Sequence, residues 1–419
     1  MARVFITGLG YICSIGNDQE TVVHNLRNLK HGMALFPPVN VPDSPVRVVA
    51  PVREFEVDSL DQEDWTYPAR YKIRRQTIRS FSPHVLYAYC SLLQAIENAE
   101  LKEVDISNKE TGIYTASGGS IRFIYHHLRR MEKRGVMRCN PLNIISSIAG
   151  TLSFNLVSHF KIQGASTGFA SACASSGHAM GFAYDEIQRG RQKRMFVVGA
   201  EDCNFESVVP FCGMRALSLS LVPDRASRPF DQTRDGFVSS GGAVTVVLES
   251  EEEVERRGVP VYGEMVGWGQ ASDGHNVAIS HPEGRGLESA MLRALGDAGI
   301  QPAQVEYINA HAPSTPIGDR SEVQAIRRVF NPGETRPMIS STKALTGHGL
   351  SLSSVLEAAL CLSAQRQGFV PGSAHIQQLM SEAEGLNIIR QTVNATPTYI
   401  LSNSSGFGGA NTSLVFRHV

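Results

Sequence analysis

Short β-branched runs alternate with helical patterns along the whole chain, and several of the runs end in loops of glycine, serine and threonine. Strand patterns fall at residues 4–7, 195–198, 243–248, 262–266, 305–308 and 399–401. Apolar residues recur every three or four positions at 85–99, 175–189, 321–330 and 353–366, the spacing of helices with one buried face. Such alternation predicts an α/β fold with a layered sheet core. The small-residue loops lie at 116–120, 164–177, 239–242, 340–349 and 402–412. Small side chains let backbone approach a ligand, and the loops that follow strands are where α/β proteins place their sites.

The chain has 419 residues, enough for a large buried core and two half-domains. A charged segment at 251–258 separates two strand patterns, which predicts halves at 1–250 and 251–419. Hydrophobic residues make up 42% and charged residues 19%, the balance of a globular protein. A formal net charge of −1 gives no global attraction to nucleic acid or to an anionic membrane, so an acidic partner must meet a local patch. The opening MARVFITGLG is too short an apolar run for a signal segment, and nothing approaches the roughly 20 apolar residues of a membrane helix. A cytoplasmic location is expected. The seven cysteines are scattered and lack CxxC or Cys/His spacing, against both a disulfide framework and a zinc site.

Four clusters carry chemistry. Gly164-Ala-Ser-Thr-Gly-Phe-Ala-Ser-Ala-Cys-Ala-Ser-Ser-Gly177 puts Cys173 where a tight turn enters a helix. The partial positive charge of a helix start favours a thiolate, the species that attacks a thioester; the alternative is a small packed hydrophobe at a turn. Asn309-Ala-His-Ala-Pro-Ser-Thr-Pro-Ile-Gly-Asp319 sets His311 at a strand end, for catalysis or for capping, with Asp319 and Glu322 in the next helix start. Ser340-Ser-Thr-Lys-Ala-Leu-Thr-Gly-His-Gly349 brings Lys343 and His348 into one loop, to polarise a carbonyl, bind an anion or merely cap a helix. Asn403-Ser-Ser-Gly-Phe-Gly-Gly-Ala-Asn411 offers free N–H groups for an oxyanion, or a plain hairpin. Gly8-Leu-Gly10 is an isolated hint of a dinucleotide loop, without a third glycine in register. A cysteine at a helix start, two histidines on strand-end loops and a glycine-rich loop together compose an acyl-transfer set.

At this level the chain resembles the β-ketoacyl-acyl carrier protein synthases of types I and II. The resemblance runs from Val4-Phe-Ile-Thr-Gly-Leu-Gly10 through Ser171-Ala-Cys173 and the Ser227-Arg-Pro-Phe-Asp and Arg-Asp-Gly-Phe-Val238 segments. It continues through His311, Lys343 and His348 to Gly406-Phe-Gly-Gly409, in family order. It implies a thiolase-like fold, two similar βαβαβαββ halves in five layers, α-β-α-β-α. It implies decarboxylative condensation of a Cys173-bound acyl group with malonyl-acyl carrier protein, in fatty acid or type II polyketide or polyene synthesis. His311 and His348 would bind the malonyl thioester carbonyl, Lys343 would support them, and Asp319, Glu322 and Glu357 would orient the site. The N–H groups of Cys173 and Phe407 would form the oxyanion hole, with Phe407 as gate, and Thr315 would bond pantetheine. Neither metal nor free cofactor is implied, since substrates ride on the phosphopantetheine of the carrier protein. The partners implied are that acidic carrier, docked on Arg75, Arg79, Arg129 and Arg130, and a second subunit, identical or related, with neither nucleic acid nor membrane.

Three departures qualify the resemblance. The His-Gly-Thr-Ser-Thr-Pro pattern reads His311-Ala-Pro-Ser-Thr-Pro316, exchanging a pantetheine-bonding threonine for Pro313. Asn-Ser-Phe-Gly-Phe reads Asn403-Ser-Ser-Gly-Phe407, and Gly-His-x-Leu-Gly-Ala-Ala-Gly reads Gly347-His-Gly-Leu-Ser-Leu-Ser-Ser354. They point to a specialised pathway. The competing readings are a non-elongating partner subunit of chain-length-factor type and a malonyl decarboxylase of the same fold.

Overall fold

The computed structural model describes residues 2–41, 44–331 and 336–419. The first half contributes strands β1 (Val4–Cys13), β2 (Thr111–Ala116), β3 (Ser166–Phe169), β4 (Arg194–Glu201) and β5 (Gly242–Ser250) to the main sheet. The second contributes β6 (Gly263–Ser272), β7 (Tyr307–Asn309), β8 (Met338–Ser340), β9 (Tyr399–Gly406) and β10 (Ala410–Arg417). Hydrogen bonding orders the ten as β8-β7-β9-β10-β6-β1-β5-β4-β2-β3. Counted outward from the centre, each half therefore runs first, fifth, fourth, second, third. β1 and β6 join the halves through three residue pairs, Val4 with Met265, Phe5 with Glu264 and Ile6 with Gly263.

The helices complete the repeat: α1 (Pro83–Asn98), α2 (Ile121–Arg134), α3 (Thr151–Phe160) and α4 (Ser175–Gln188) in the first half, then α5 (Arg285–Ala298), α6 (Pro316–Phe330) and α7 (Ser353–Arg366). α4 and α7 touch strands of both halves and form the middle layer; α1 and α5 cover the outer faces. This is the expected five-layer, doubled βαβαβαββ arrangement. α7 explains its place by composition: every residue from Ser353 to Gln365 is buried, so it has no solvent face. Its Leu356, Leu360 and Leu362 each contribute about 1.5–3 kcal/mol of burial. Its polar residues find partners instead, as where Ser363 meets the Tyr11 hydroxyl at 2.8 Å.

Gly8 and Gly10 are not a dinucleotide loop. Both lie inside β1, where a Cβ on Gly10 would sit 1.9 Å from the Ser91 carbonyl oxygen of α1, so glycine here serves close helix–strand packing. The 251–258 segment forms a short helix, Glu251–Arg257, ending on Gly258 in the left-handed region. Its Glu253 reaches the buried Arg194, which also pairs with Glu249.

Candidate active site

β2, β3 and β4 run parallel, as do β8, β7 and β9, and their carboxyl ends open on one place. Cys173 follows β3, His311 follows β7 and His348 follows β8. All three line one cavity of about 300 Å³, with Phe211, Phe237 and Phe407 among its walls.

Cys173 stands two residues before α4, on a turn that forces Ala172 to φ +51°. The Ser171 N–H donates to Ser175 Oγ at 2.8 Å, and the Ser354 hydroxyl donates to the Cys173 carbonyl at 3.3 Å. Gly406 presses on the same turn: a Cβ there would lie 2.8 Å from the Ser171 carbonyl oxygen and 3.0 Å from the Cys173 nitrogen.

His348 Nε2 lies 3.1 Å from Cys173 Sγ, and its Nδ1 lies 2.9 Å from Ser353 Oγ. The first half holds this histidine in place. Its N–H donates to the Val238 carbonyl at 2.7 Å, its carbonyl accepts from Ser240 N–H at 3.0 Å, and Phe237 meets its ring edge-on at 5.2 Å. The His311 ring lies 5.2 Å from that of His348, nearly perpendicular to it. Glu322 sets the His311 loop by accepting from His311 N–H at 3.0 Å and Ala312 N–H at 2.6 Å, and Asn403 Nδ2 donates to it at 3.1 Å.

Lys343 and Glu357 form a wholly buried ion pair behind the histidines. Asp319 accepts from Phe230 and Ser314 N–H, each at 3.0 Å, and pairs with Arg234 at 3.2 Å, which holds the strained Ser314 (φ +73°). Thr315 lines the cavity; its Oγ1 accepts from Gly318 N–H at 3.1 Å as the cap of α6, leaving its own proton free to donate. Phe407 is partly exposed at the mouth, 6.2 Å from Phe211, on a loop whose Gly408 and Gly409 both take positive φ.

Burial dominates the electrostatics around Cys173. It pushes the Cys173 thiol up to about 12, against the lowering by Lys343. Burial, reinforced by Lys343, holds both His311 and His348 well below the usual imidazole range. It also pushes Glu357 and Glu201 up to about 7, Asp319 up to about 6, and Glu322 upward.

The structure thus gathers Cys173, His311, His348, Lys343, Thr315, Phe407, Asp319, Glu322 and Glu357 in one neighbourhood. It leaves the four arginines expected to dock a carrier elsewhere. Arg75 and Arg79 both pair with Glu63, so this part of the patch is half neutralised. Arg129 and Arg130 are exposed on α2, with the Arg129 guanidinium 5.7 Å from the Tyr125 ring. Sequence reasoning passed over Glu201 and gave no site role to Phe237, Ser353 or Ser354, though those three lie within the motifs quoted above. The two serines stand where the family pattern has alanine and glycine, and that substitution was their signal.

Comparison with known proteins agrees with this geometry. Residues 1–254 match the model of the beta-ketoacyl synthase N-terminal domain, and residues 262–377 match that of its C-terminal domain. The chain is 37% identical to 3-oxoacyl-[acyl-carrier-protein] synthase 1 of Escherichia coli K12, covering all of this chain and 99% of that protein. A beta-ketoacyl synthase structure from Burkholderia phymatum superposes over both full chains with a TM-score of 0.90 at 30% identity. The ishigamide ketosynthase/chain length factor superposes with a TM-score of 0.89 at 25% identity, over all of this chain and 99% of that one. Among the described residues no helix is long and apolar enough to cross a membrane.

Proposed function

This chain belongs to the β-ketoacyl synthase family, and from that premise we propose that it extends carrier-bound acyl chains, with Cys173 holding the acyl group. The observation that carries this is the convergence of Cys173, His348 and His311 on one cavity. The Cys173 sulfur attacks the acyl thioester carbonyl, the carrier thiol leaves with a proton, and the acyl group rests on Cys173. The tetrahedral oxyanion is met by the N–H groups of Cys173 and Phe407, donors held in place by the backbone. Malonyl thioester then binds with its carbonyl between the two imidazoles. Loss of carbon dioxide leaves an enolate whose oxygen they hold, and its carbon attacks the Cys173 thioester. A C–C bond forms, the C–S bond breaks, and the thiolate is released.

Lys343, paired with Glu357, keeps both imidazoles neutral, and Asp319 and Glu322 fix the loop of His311. Thr315 donates to pantetheine. No free cofactor enters this sequence of steps. The halves 1–250 and 251–419 are each incomplete, one holding the nucleophile and the other the histidines. We place the enzyme in the cytoplasm, within a specialised polyketide or polyene pathway, on the strength of Pro313, Ser405 and the 349–354 loop. The carrier docks on Arg129 and Arg130 with Arg75 and Arg79; reversing the charge of Arg129 and Arg130 raises KM for carrier-bound substrate while Cys173 alkylation is unchanged.

Mass spectrometry with acyl-carrier and malonyl-carrier substrates tests the reading. Acylation at Cys173 with a β-keto product supports condensation. Acylation with acetyl-carrier as the sole product indicates a decarboxylase, and absence of acylation a non-elongating partner subunit.

A further inference from the structure

We infer that Ser353 is a positioning residue that fixes the proton of the His348 imidazole on Nε2, the nitrogen facing Cys173. The inference rests on the reading of Cys173 and His348 given above, and it concerns which nitrogen does what.

Ser353 is buried at the first position of α7, and its Oγ lies 2.9 Å from His348 Nδ1. A buried hydroxyl must place its proton somewhere, since an unmatched polar group is costly. Among the described residues, the Ser353 hydroxyl has His348 Nδ1 as its one hydrogen-bond partner. The O–H therefore donates, and Nδ1 accepts through its lone pair. An imidazolium, with protons on both nitrogens, is opposed by burial and by Lys343. One ring proton remains, and it sits on Nε2, 3.1 Å from Cys173 Sγ.

The reverse arrangement, Nδ1–H donating to Ser353, would strand the serine proton and turn the Nε2 lone pair toward the sulfur. His348 would then be a base for the thiol. With Ser353 as donor, His348 instead presents an N–H. It steadies the sulfur while the thioester is attacked, and it is already the right donor when the enolate oxygen replaces the sulfur as its acceptor. No proton has to cross the ring between the two half-reactions.

Among the described residues no other hydrogen bond reaches His348 Nδ1 to make this choice. The His348 backbone is bound on both sides, by Val238 and Ser240, and the ring is buttressed by Phe237. Those contacts fix where the ring lies but do not distinguish its nitrogens. The family pattern quoted above has alanine at this position, so the hydroxyl belongs to this chain's own departure from it. Its neighbour Ser354 has a separate task, bonding the Cys173 carbonyl and the Ser404 hydroxyl at 2.8 Å.

The test compares the wild type with Ser353→Ala, Ser353→Thr and His348→Ala in the full chain. Long-range ¹⁵N–¹H correlation on ¹⁵N-histidine-labelled protein, assigned with His348→Ala, reports the His348 tautomer. Ser353→Ala is expected to mix the two tautomers and to lower kcat for malonyl-carrier decarboxylation about fivefold, the worth of one ordinary hydrogen bond, with KM unchanged. Ser353→Thr, which keeps the hydroxyl, is expected to restore both. A single Nε2–H tautomer and wild-type kcat in Ser353→Ala overturns the inference, as does a Ser353→Thr enzyme as slow as Ser353→Ala. Failure of the underlying reading looks different: His348→Ala would then decarboxylate and condense at the wild-type rate.

Discussion

Replacing Gly406 by alanine isolates the contact between the glycine-rich loop and the turn that carries Cys173. Gly406 has φ −122° and ψ 166°, an extended conformation that alanine adopts freely, so no dihedral strain enters. The cost is steric alone. The new Cβ would meet the Ser171 carbonyl oxygen at 2.8 Å, the Cys173 nitrogen at 3.0 Å and Ala172 Cβ at 3.2 Å. Two of these are backbone atoms, and the turn is already held at a positive φ at Ala172, so it has little slack. Relief requires the two loops to separate by about half an ångström, an overpacking worth about 1–3 kcal/mol of stability. Function should suffer more, because that motion displaces the Cys173 N–H, the proposed oxyanion donor; losing one such donor costs a factor of about 10²–10³ in rate. The assay is the rate at which acyl-carrier substrate adds one acyl mass to Cys173, alongside denaturant unfolding. A folded Gly406→Ala protein that acylates within twofold of wild type refutes the reasoning.

Three further outcomes are expected. Alkylation of Cys173 by iodoacetamide, read by peptide mass, should climb about tenfold per pH unit from pH 7 to 9; a plateau near neutrality would show that burial does not govern the thiol. Gly296, exposed in the last turn of α5 with nothing within 4 Å of an added Cβ, should gain up to about 0.5–1 kcal/mol of stability as alanine, and a loss in denaturant unfolding contradicts this. Glu201 has its folded pKa raised by burial from an ordinary carboxylate value to about 7, so its stabilising contribution is present below the unfolded value and is lost as pH rises through 7. Wild type should therefore lose stability relative to Glu201→Gln between pH 5 and pH 8, and parallel unfolding curves across that range would count against it.

The long, strongly patterned elements were legible in the sequence. α7 falls on the predicted 353–366, and α4 ends one residue short of its predicted limit. α6 begins five residues earlier than its apolar spacing suggested, because Thr315 caps it and Pro316 opens it. β3 was read as loop: Ser166–Phe169 lies at the sheet edge, largely exposed, and so lacks a run of buried β-branched residues. β2, α2, α3 and α5 drew no prediction either; α5 interrupts its buried face with Gly286. The site was legible as residue types on strand-end loops, and the resemblance supplied their roles. What stayed hidden was relational. No local pattern says that residues 238 and 240 grip His348, that Glu63 occupies Arg75 and Arg79, or that Ser353 faces a ring nitrogen, since each pairing is made by the topology.

The grip on His348 has a consequence for the chain as an assembly. Cys173 belongs to one half and both histidines to the other, and the Val238 and Ser240 bonds cross between them. On the proposed reading neither half is a smaller enzyme; each is one part of a two-piece tool. Severed at the exposed turn after Gly258, where the backbone leaves its helix, the fragments would regain turnover only by complementation. Turnover would then serve as a direct gauge of how completely the two pieces had found each other.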